Sequence, residues 1–80
     1  MHMYNEILEK VIVILSGISE ADEITEDSEL LDDLDIDSMN LLVLLSSMEE
    51  EFKVHISEDD MRKMYTVGDV AEIILNLINE

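Results

Sequence analysis

The N-terminal part of the chain carries apolar residues at a repeated spacing of three and four positions. This spacing places them on one face of an α-helix, with polar and acidic residues on the other face. We therefore predict an amphipathic first helix that ends near Gly17. Its apolar face comprises Tyr4, Ile7, Leu8, Val11, Ile12, Leu15 and Ile18.

A second apolar pattern predicts a helix from Ser38 to Phe52. Helical steps of 100° per residue divide this segment into two sides. The side that we expect to face the core comprises Leu41, Leu44, Leu45, Met48 and Phe52. The opposite side is expected to face solvent, yet it is apolar near its N-terminal end, since it comprises Met39, Leu42, Val43, Ser46 and Glu50.

Two later segments begin with a helix-capping pattern, in which a hydroxyl residue is followed three positions later by an acid. Ser57 and Asp60 form the first pair, and Thr66 and Asp69 form the second. The first pair predicts a short helix over residues 58–63.

The second capping pair predicts a final helix that runs to about Asn79. We expect it to turn one apolar stripe inward, comprising Val67, Val70, Ala71, Ile74 and Ile78. Because proline is absent and only two glycines occur, helices are favoured over turn-rich β architecture. The sequence thus predicts an all-α bundle of four helices, three longer and one short.

The segment between the first two helices, residues 19–37, is long, acidic and without helical periodicity. A structureless connection of this length is uncommon in a small domain unless it is functional or held in place. Leu30, Leu31 and Leu34 are the residues that we expect to hold it, by docking on the bundle while the carboxylates face water.

Size and charge limit the possible functions. Eighty residues with 48% apolar content provide one small core, so we predict a single domain over residues 1–80. The formal net charge of -17 repels phosphate backbones, which argues against nucleic-acid binding and favours partners with basic patches. The longest apolar runs have five residues, whereas about 20 are needed to span a bilayer. The N-terminus lacks the basic segment of a secretory signal. We therefore expect a cytoplasmic monomer without membrane insertion.

Ser38 is the candidate functional residue, because it lies where the acidic segment meets the second helix. As a hydrolase nucleophile it would need a base, but no Gly-x-Ser-x-Gly turn surrounds it and only His2 and His55 are available. A small hydroxyl at a helix start is better suited to modification by another protein. We predict that the chain is not an enzyme.

The acids before Ser38 invite comparison with a calcium loop. The spacing Asp33-x-Asp35-x-Asp37 fits an EF-hand, but its sixth and twelfth positions hold Ser38 and Leu44 instead of Gly and Glu. We predict no dedicated metal site. Weak divalent-ion binding that stabilises the fold remains a prediction for Asp32, Asp33, Asp35 and Asp37.

These residues together resemble the acyl carrier protein family. The resemblance covers nearly the whole chain and is carried by Asp37-Ser38-Met39, by Glu49-Glu50-Glu51-Phe52 and by Thr66-Val67 at the last helix. It implies a four-helix bundle of acyl-carrier type. It also implies that a phosphopantetheinyl transferase attaches 4'-phosphopantetheine from coenzyme A to Ser38, with Asp37 helping to present the serine. The chain has no cysteine, so the thiol that carries acyl groups as thioesters arrives with this arm.

Three positions depart from the pattern that most family members follow. Asp35 replaces a glycine, and if this position needs a positive φ, aspartate tolerates it less well and modification by generic transferases is slower. Val43 and Asn40 replace acids that are common in fatty-acid carriers. The partner-docking surface is therefore expected to be apolar at Met39, Leu42 and Val43. By resemblance, Glu49 and Glu50 pair with basic residues of acyl-transferring and acyl-elongating enzymes.

The cargo is not specified by the sequence. Fatty-acid synthesis, specialised polyketide-like synthesis and D-alanyl or other aminoacyl transfer all use this fold. Met39 after the serine, together with the apolar docking surface, slightly favours the specialised pathways. An unmodified acidic helical module that docks on a basic partner is the alternative outside the carrier class.

Overall fold

The computed structural model describes residues 3–79, and the fold class is as predicted. The helices are α1 (Tyr4–Ser16), α2 (Ser38–Phe52), α3 (Glu58–Arg62) and α4 (Val67–Ile78). Within residues 3–79 no strand forms, and the β-type pairing is a single isolated bridge between Glu29 and Thr66. None of the helices in this range is long and apolar enough to cross a membrane.

The three longer helices surround one apolar core, in which α1 packs against both α4 and α2. Of the stripe predicted on α2, Leu44, Met48 and Phe52 are buried, whereas Leu41 and Leu45 are only half-buried and pack at its edge. The other helices contribute Ile7, Val11, Leu15, Val67, Val70, Ala71 and Ile74, while Ile78 remains partly exposed.

The acidic segment between α1 and α2 is ordered by its own apolar residues. Leu30 and Leu34 are buried as predicted, and Ile36 joins them. The prediction for Leu31 is wrong, because its side chain is 68% exposed. The chain is wound here, with the Asp33 N–H donating to the Glu29 carbonyl at 3.0 Å. Residues four apart share a face of such a turn, so Leu30 and Leu34 point inward together and Leu31 does not.

Backbone hydrogen bonds tie this segment to the start of α4. The N–H groups of Val67 and Gly68 donate to the carbonyls of Ser28 and Glu26, at 3.0 and 2.9 Å. In the other direction, the Leu30 N–H donates to the Tyr65 carbonyl at 2.9 Å. The first N–H groups of a helix have no partner within it, so the segment satisfies two of them in α4.

A close approach at Gly68 completes this attachment. A Cβ at Gly68 would lie 2.8 Å from Cγ of Glu26 and 3.3 Å from its carbonyl oxygen. The Glu26 carboxylate accepts a hydrogen bond from the Tyr4 hydroxyl, which links the segment to the first residue of α1. This hydrogen bond, with smaller contributions from burial and from nearby carboxylates, raises the pKa of Tyr4 to about 12.

The two capping boxes predicted from sequence are both formed. In each, the hydroxyl accepts from the backbone N–H of the aspartate and the carboxylate accepts from that of the cap. Helix α3 nevertheless has only five residues, and none of them is buried. It is anchored instead by the residues that flank it, Ile56 and Met64, which are both in the core.

Candidate attachment site at the start of α2

The approach to Ser38 depends on one residue in a left-handed conformation. Asp35 has φ 54°, so the departure from glycine falls at a position that does require a positive φ. Its N–H donates to the Leu31 carbonyl at 3.1 Å, and the next N–H, of Ile36, donates to the Leu30 carbonyl at 2.9 Å. This turn buries Ile36 and directs the chain into α2.

Asp37 is the N-cap of α2. Its backbone is extended, and its Oδ1 accepts from the Asn40 N–H at 2.8 Å, while its carbonyl accepts from the Leu41 N–H at the same distance. Ser38 is therefore the first helical residue, and it is exposed. Helix geometry leaves the N–H groups of Ser38 and Met39 without an intrahelical acceptor, and the helix dipole makes this end partly positive. The site favours an anionic group on the serine oxygen.

The histidine that the structure describes lies far from Ser38. His55 lies beside Glu49, with Nδ1 3.4 Å from Oε2. Glu49 is eleven residues along α2 from Ser38, which at the helical rise is roughly 16 Å. His2, the other histidine considered from sequence, lies outside the described residues. A hydrolytic role for Ser38 therefore gains no support.

The acids before Ser38 do not assemble into a metal-binding group. Across residues 3–79, no set of three or more carboxylate, histidine or cysteine side chains is arranged to hold an ion. The carboxylate of Asp33 accepts from the Glu29 N–H at 2.7 Å, and that of Asp37 caps α2. Weak divalent binding stays a prediction.

A groove of about 570 Å³ begins at Ser38. It runs between the acidic segment and the turn that joins α3 to α4, and it is lined mainly by apolar side chains, those of Leu30, Leu31, Ile36, Leu41, Met64 and Tyr65. Sequence reasoning missed Met64 and Tyr65. The sequence indicated Tyr65 only weakly, as a large side chain immediately before the cap of the last helix. In the structure its side chain is 69% exposed.

The predicted docking surface forms a second, shallower groove on the outer side of α2. Met39, Leu42 and Val43 are 73%, 64% and 48% exposed, and they line a concavity of about 320 Å³. Ser46, Ser47 and Glu50 complete its lining. Clustered exposed apolar side chains of this kind are typical of interaction sites.

The two glutamates predicted at the docking surface differ in setting. Glu50 is exposed and lines the α2 groove. Glu49 is half-buried, and its Oε2 accepts a hydrogen bond from the Ile56 N–H at 2.8 Å, in the connection to α3. The structure thus brings Glu50 together with Met39, Leu42 and Val43, and directs Glu49 toward a different part of the molecule.

The chain is similar to known proteins in both sequence and fold. The profile of the family described as "phosphopantetheine attachment site" matches residues 6–74. The chain is 40% identical over 72 residues to an acyl carrier protein of Thermotoga maritima, covering 86% of this chain and 88% of that one. Its fold is similar to the structure of the acyl carrier protein from Enterococcus faecalis, with a TM-score of 0.77, 33% identity and coverage of 95% and 99% of the two chains.

The residues present fit the prosthetic group that this family carries. Ser38 offers an exposed hydroxyl for a phosphodiester, the first turn of α2 stabilises the phosphate charge, and an apolar groove starts beside it. Members of the family carry acyl groups and do not catalyse, and 4'-phosphopantetheine is their covalent cofactor. The family match over residues 6–74, the identity to the Thermotoga maritima protein and the similar fold show that the chain belongs to the acyl carrier protein family.

Proposed function

We propose that this protein carries acyl intermediates as thioesters on a 4'-phosphopantetheine arm attached to Ser38, for enzymes of fatty-acid or specialised acyl synthesis. The observation that supports this most is the exposed Ser38 hydroxyl at the Asp37-capped start of α2, with an apolar groove beside it. Since the chain contains no cysteine, the thiol is supplied by the arm. The cytoplasm remains the expected location.

Loading requires a phosphopantetheinyl transferase as the first partner. The Ser38 oxygen forms a bond to the phosphorus of the pantetheine arm, the pyrophosphate bond of coenzyme A breaks, and adenosine 3',5'-bisphosphate leaves. The serine proton passes to a base in the active site of the transferase. Asp37 contributes by holding the first turn of α2 through its bond to the Asn40 N–H.

Delivery requires docking, for which we propose the outer groove of α2. Met39, Leu42 and Val43 form its apolar centre, and Glu50 lies at its edge with Glu49 one residue away. A matching partner presents an apolar patch bordered by lysine or arginine. The apolar centre stabilises the complex, whereas the acids mainly raise the association rate and make it dependent on salt. Because Val43 is apolar, we infer a dedicated partner in place of the general fatty-acid enzymes.

The docking proposal is tested by measuring binding to a housekeeping ketosynthase for the wild type and for Val43→Glu. We expect the added acid to strengthen binding, since it restores a charge that basic docking patches attract. Equal binding by both proteins would contradict a role for Val43 in partner choice. Ser46→Glu, on the same groove but on a polar residue, is the control for a general effect of added charge.

The attachment itself is tested by mass spectrometry after incubation with coenzyme A and a promiscuous transferase. We expect one phosphopantetheinyl group per chain, absent in Ser38→Ala and retained in Ser47→Ala. Persistent failure to form the adduct would favour the other candidate, an unmodified module that binds its partner through the exposed α2 groove. The mass of the native thioester distinguishes fatty-acyl, polyketide-like and aminoacyl cargo.

A further inference from the structure

Glu49 accepts hydrogen bonds from several backbone N–H groups in the connection between α2 and α3. Its carbonyl accepts from the N–H of Lys53, which closes α2 in a left-handed conformation, and from that of Val54 at 3.3 Å. Its Oε2 accepts from the Ile56 N–H at 2.8 Å and lies 3.4 Å from Nδ1 of His55. One residue thus binds three of the next seven N–H groups.

The connection that Glu49 holds determines where α3 lies. No residue of α3 is buried, so this helix contributes little packing of its own. Its position is set by the buried residues on either side, Ile56 before it and Met64 after it. Met64 and the adjacent Tyr65 in turn line the groove that begins at Ser38. Because Ile56 and Met64 belong to the same core, the connection after α2 and the groove at the start of α2 share one packed region.

We propose that Glu49 is a positioning residue, whose carboxylate fixes the connection to α3 and thereby keeps the Met64–Tyr65 side of the Ser38 groove in place. The Ile56 N–H is partly buried, and a backbone donor in such a position is unfavourable without an acceptor. Glu49 is the acceptor because a glutamate in the last turn of α2 is long enough to reach across the turn. This role differs from docking through its charge and does not require modification of Ser38.

Two substitutions at Glu49 distinguish the effect of its side-chain length from the effect of its negative charge. Glu49→Gln keeps the length and an acceptor oxygen but removes the charge, whereas Glu49→Asp keeps the charge but is one methylene too short. We measure amide hydrogen exchange at Ile56 and the NMR signal of the Met64 methyl group in the unmodified protein. We expect Glu49→Asp to raise exchange at Ile56 at least tenfold and to shift the Met64 signal. Glu49→Gln is expected to stay within about threefold of wild type in exchange and to leave Met64 unshifted.

The same substitutions at Glu50 are the matched control, since Glu50 neighbours Glu49 but is exposed on the docking groove. Neither is expected to change exchange at Ile56 or the Met64 signal. The proposal is overturned if Glu49→Asp behaves like Glu50→Asp, or if Glu49→Gln perturbs Ile56 as strongly as Glu49→Asp. A salt-dependent fall in transferase association for Glu49→Gln, with Ile56 unchanged in both Glu49 variants, would instead assign Glu49 to docking by charge.

Discussion

The two sides of the Ser38 groove are held in place in different ways. On one side, the segment between α1 and α2 buries three apolar residues and donates and accepts backbone hydrogen bonds at the start of α4. On the other side, α3 buries none of its residues and depends on its two flanking anchors and on Glu49. Local stability follows buried apolar contacts. We infer that the side preceding Ser38 is the firm side and that α3 opens locally at a lower free energy, while the hydrogen bond from the Leu30 N–H to the Tyr65 carbonyl joins the two sides of the groove.

Shortening a buried leucine on the firm side is expected to have the largest effect. Leu34→Ala removes a core side chain and should lower the free energy of unfolding by about 2–5 kcal/mol. Leu31→Ala, three residues earlier but mostly exposed, should change it by less than about 0.5 kcal/mol. Urea unfolding of both variants measures the difference. Equal losses would show that this segment is not anchored as described.

The contact at Gly68 offers the next test. Alanine at a helix interior normally gains roughly 0.5–1 kcal/mol over glycine. At Gly68 its Cβ would meet Glu26, so we expect a net loss of about 1–3 kcal/mol through overpacking. Gly17→Ala is the matched control, because its Cβ would meet its nearest neighbour at 3.5 Å. If thermal denaturation showed both variants to be stabilised alike, the close approach of Glu26 would be refuted.

Removing the capping hydroxyl of α3 or of α4 tests whether these two helices differ in how firmly they are held. Thr66→Ala removes the cap of α4, which belongs to the core, and should lower global stability by about 1 kcal/mol. Ser57→Ala removes the cap of α3 and should act locally, by speeding amide exchange in residues 57–63 with a smaller global change. Hydrogen exchange combined with chemical denaturation distinguishes the two. A global loss for Ser57→Ala as large as that for Thr66→Ala would mean that α3 is as firmly integrated as α4.

Alkaline pH should lower the free energy of unfolding, because it ionises Tyr4 and removes its hydrogen bond to Glu26. Its pKa is raised from 10.0 to about 12 chiefly by the hydrogen bond to Glu26, so the neutral phenol is favoured in the folded state. This stabilisation is fully present below pH 10 and is lost as the pH rises toward 12. We expect unfolding free energies measured from pH 9 to pH 12 to fall less steeply for Tyr4→Phe than for wild type.

The smallest effect is expected at Asp35. Its φ of 54° is unfavourable for a residue with a Cβ, so Asp35→Gly removes strain, although glycine also increases the entropy of the unfolded chain. We expect a net gain of roughly 0.5 kcal/mol in unfolding free energy, from strain of the size typical for left-handed residues. We also expect a faster rate of modification by a generic transferase. A slower rate would contradict the inference that aspartate impedes presentation of Ser38.

Local signals made much of this fold predictable. Helix α2 begins and ends where the apolar pattern and the acidic boundary placed it, and both capping boxes were evident as residue pairs three apart. The exposure of Leu31 was not predictable, because it depends on how an aperiodic segment is wound. The roles of Gly68 and Glu49 were also hidden. Each depends on a contact with backbone or side-chain atoms outside its own helix, for which the sequence has no periodic signal.

The central claim is that Ser38 carries the phosphopantetheine arm in the cell. The most direct measurement is the intact mass of the protein purified from its native organism, with fragmentation that locates any added group. We predict a fraction of molecules with one phosphopantetheine at Ser38, some of them bearing an acyl thioester. Finding only bare Ser38, in cells whose transferase modifies other carriers, would contradict the account.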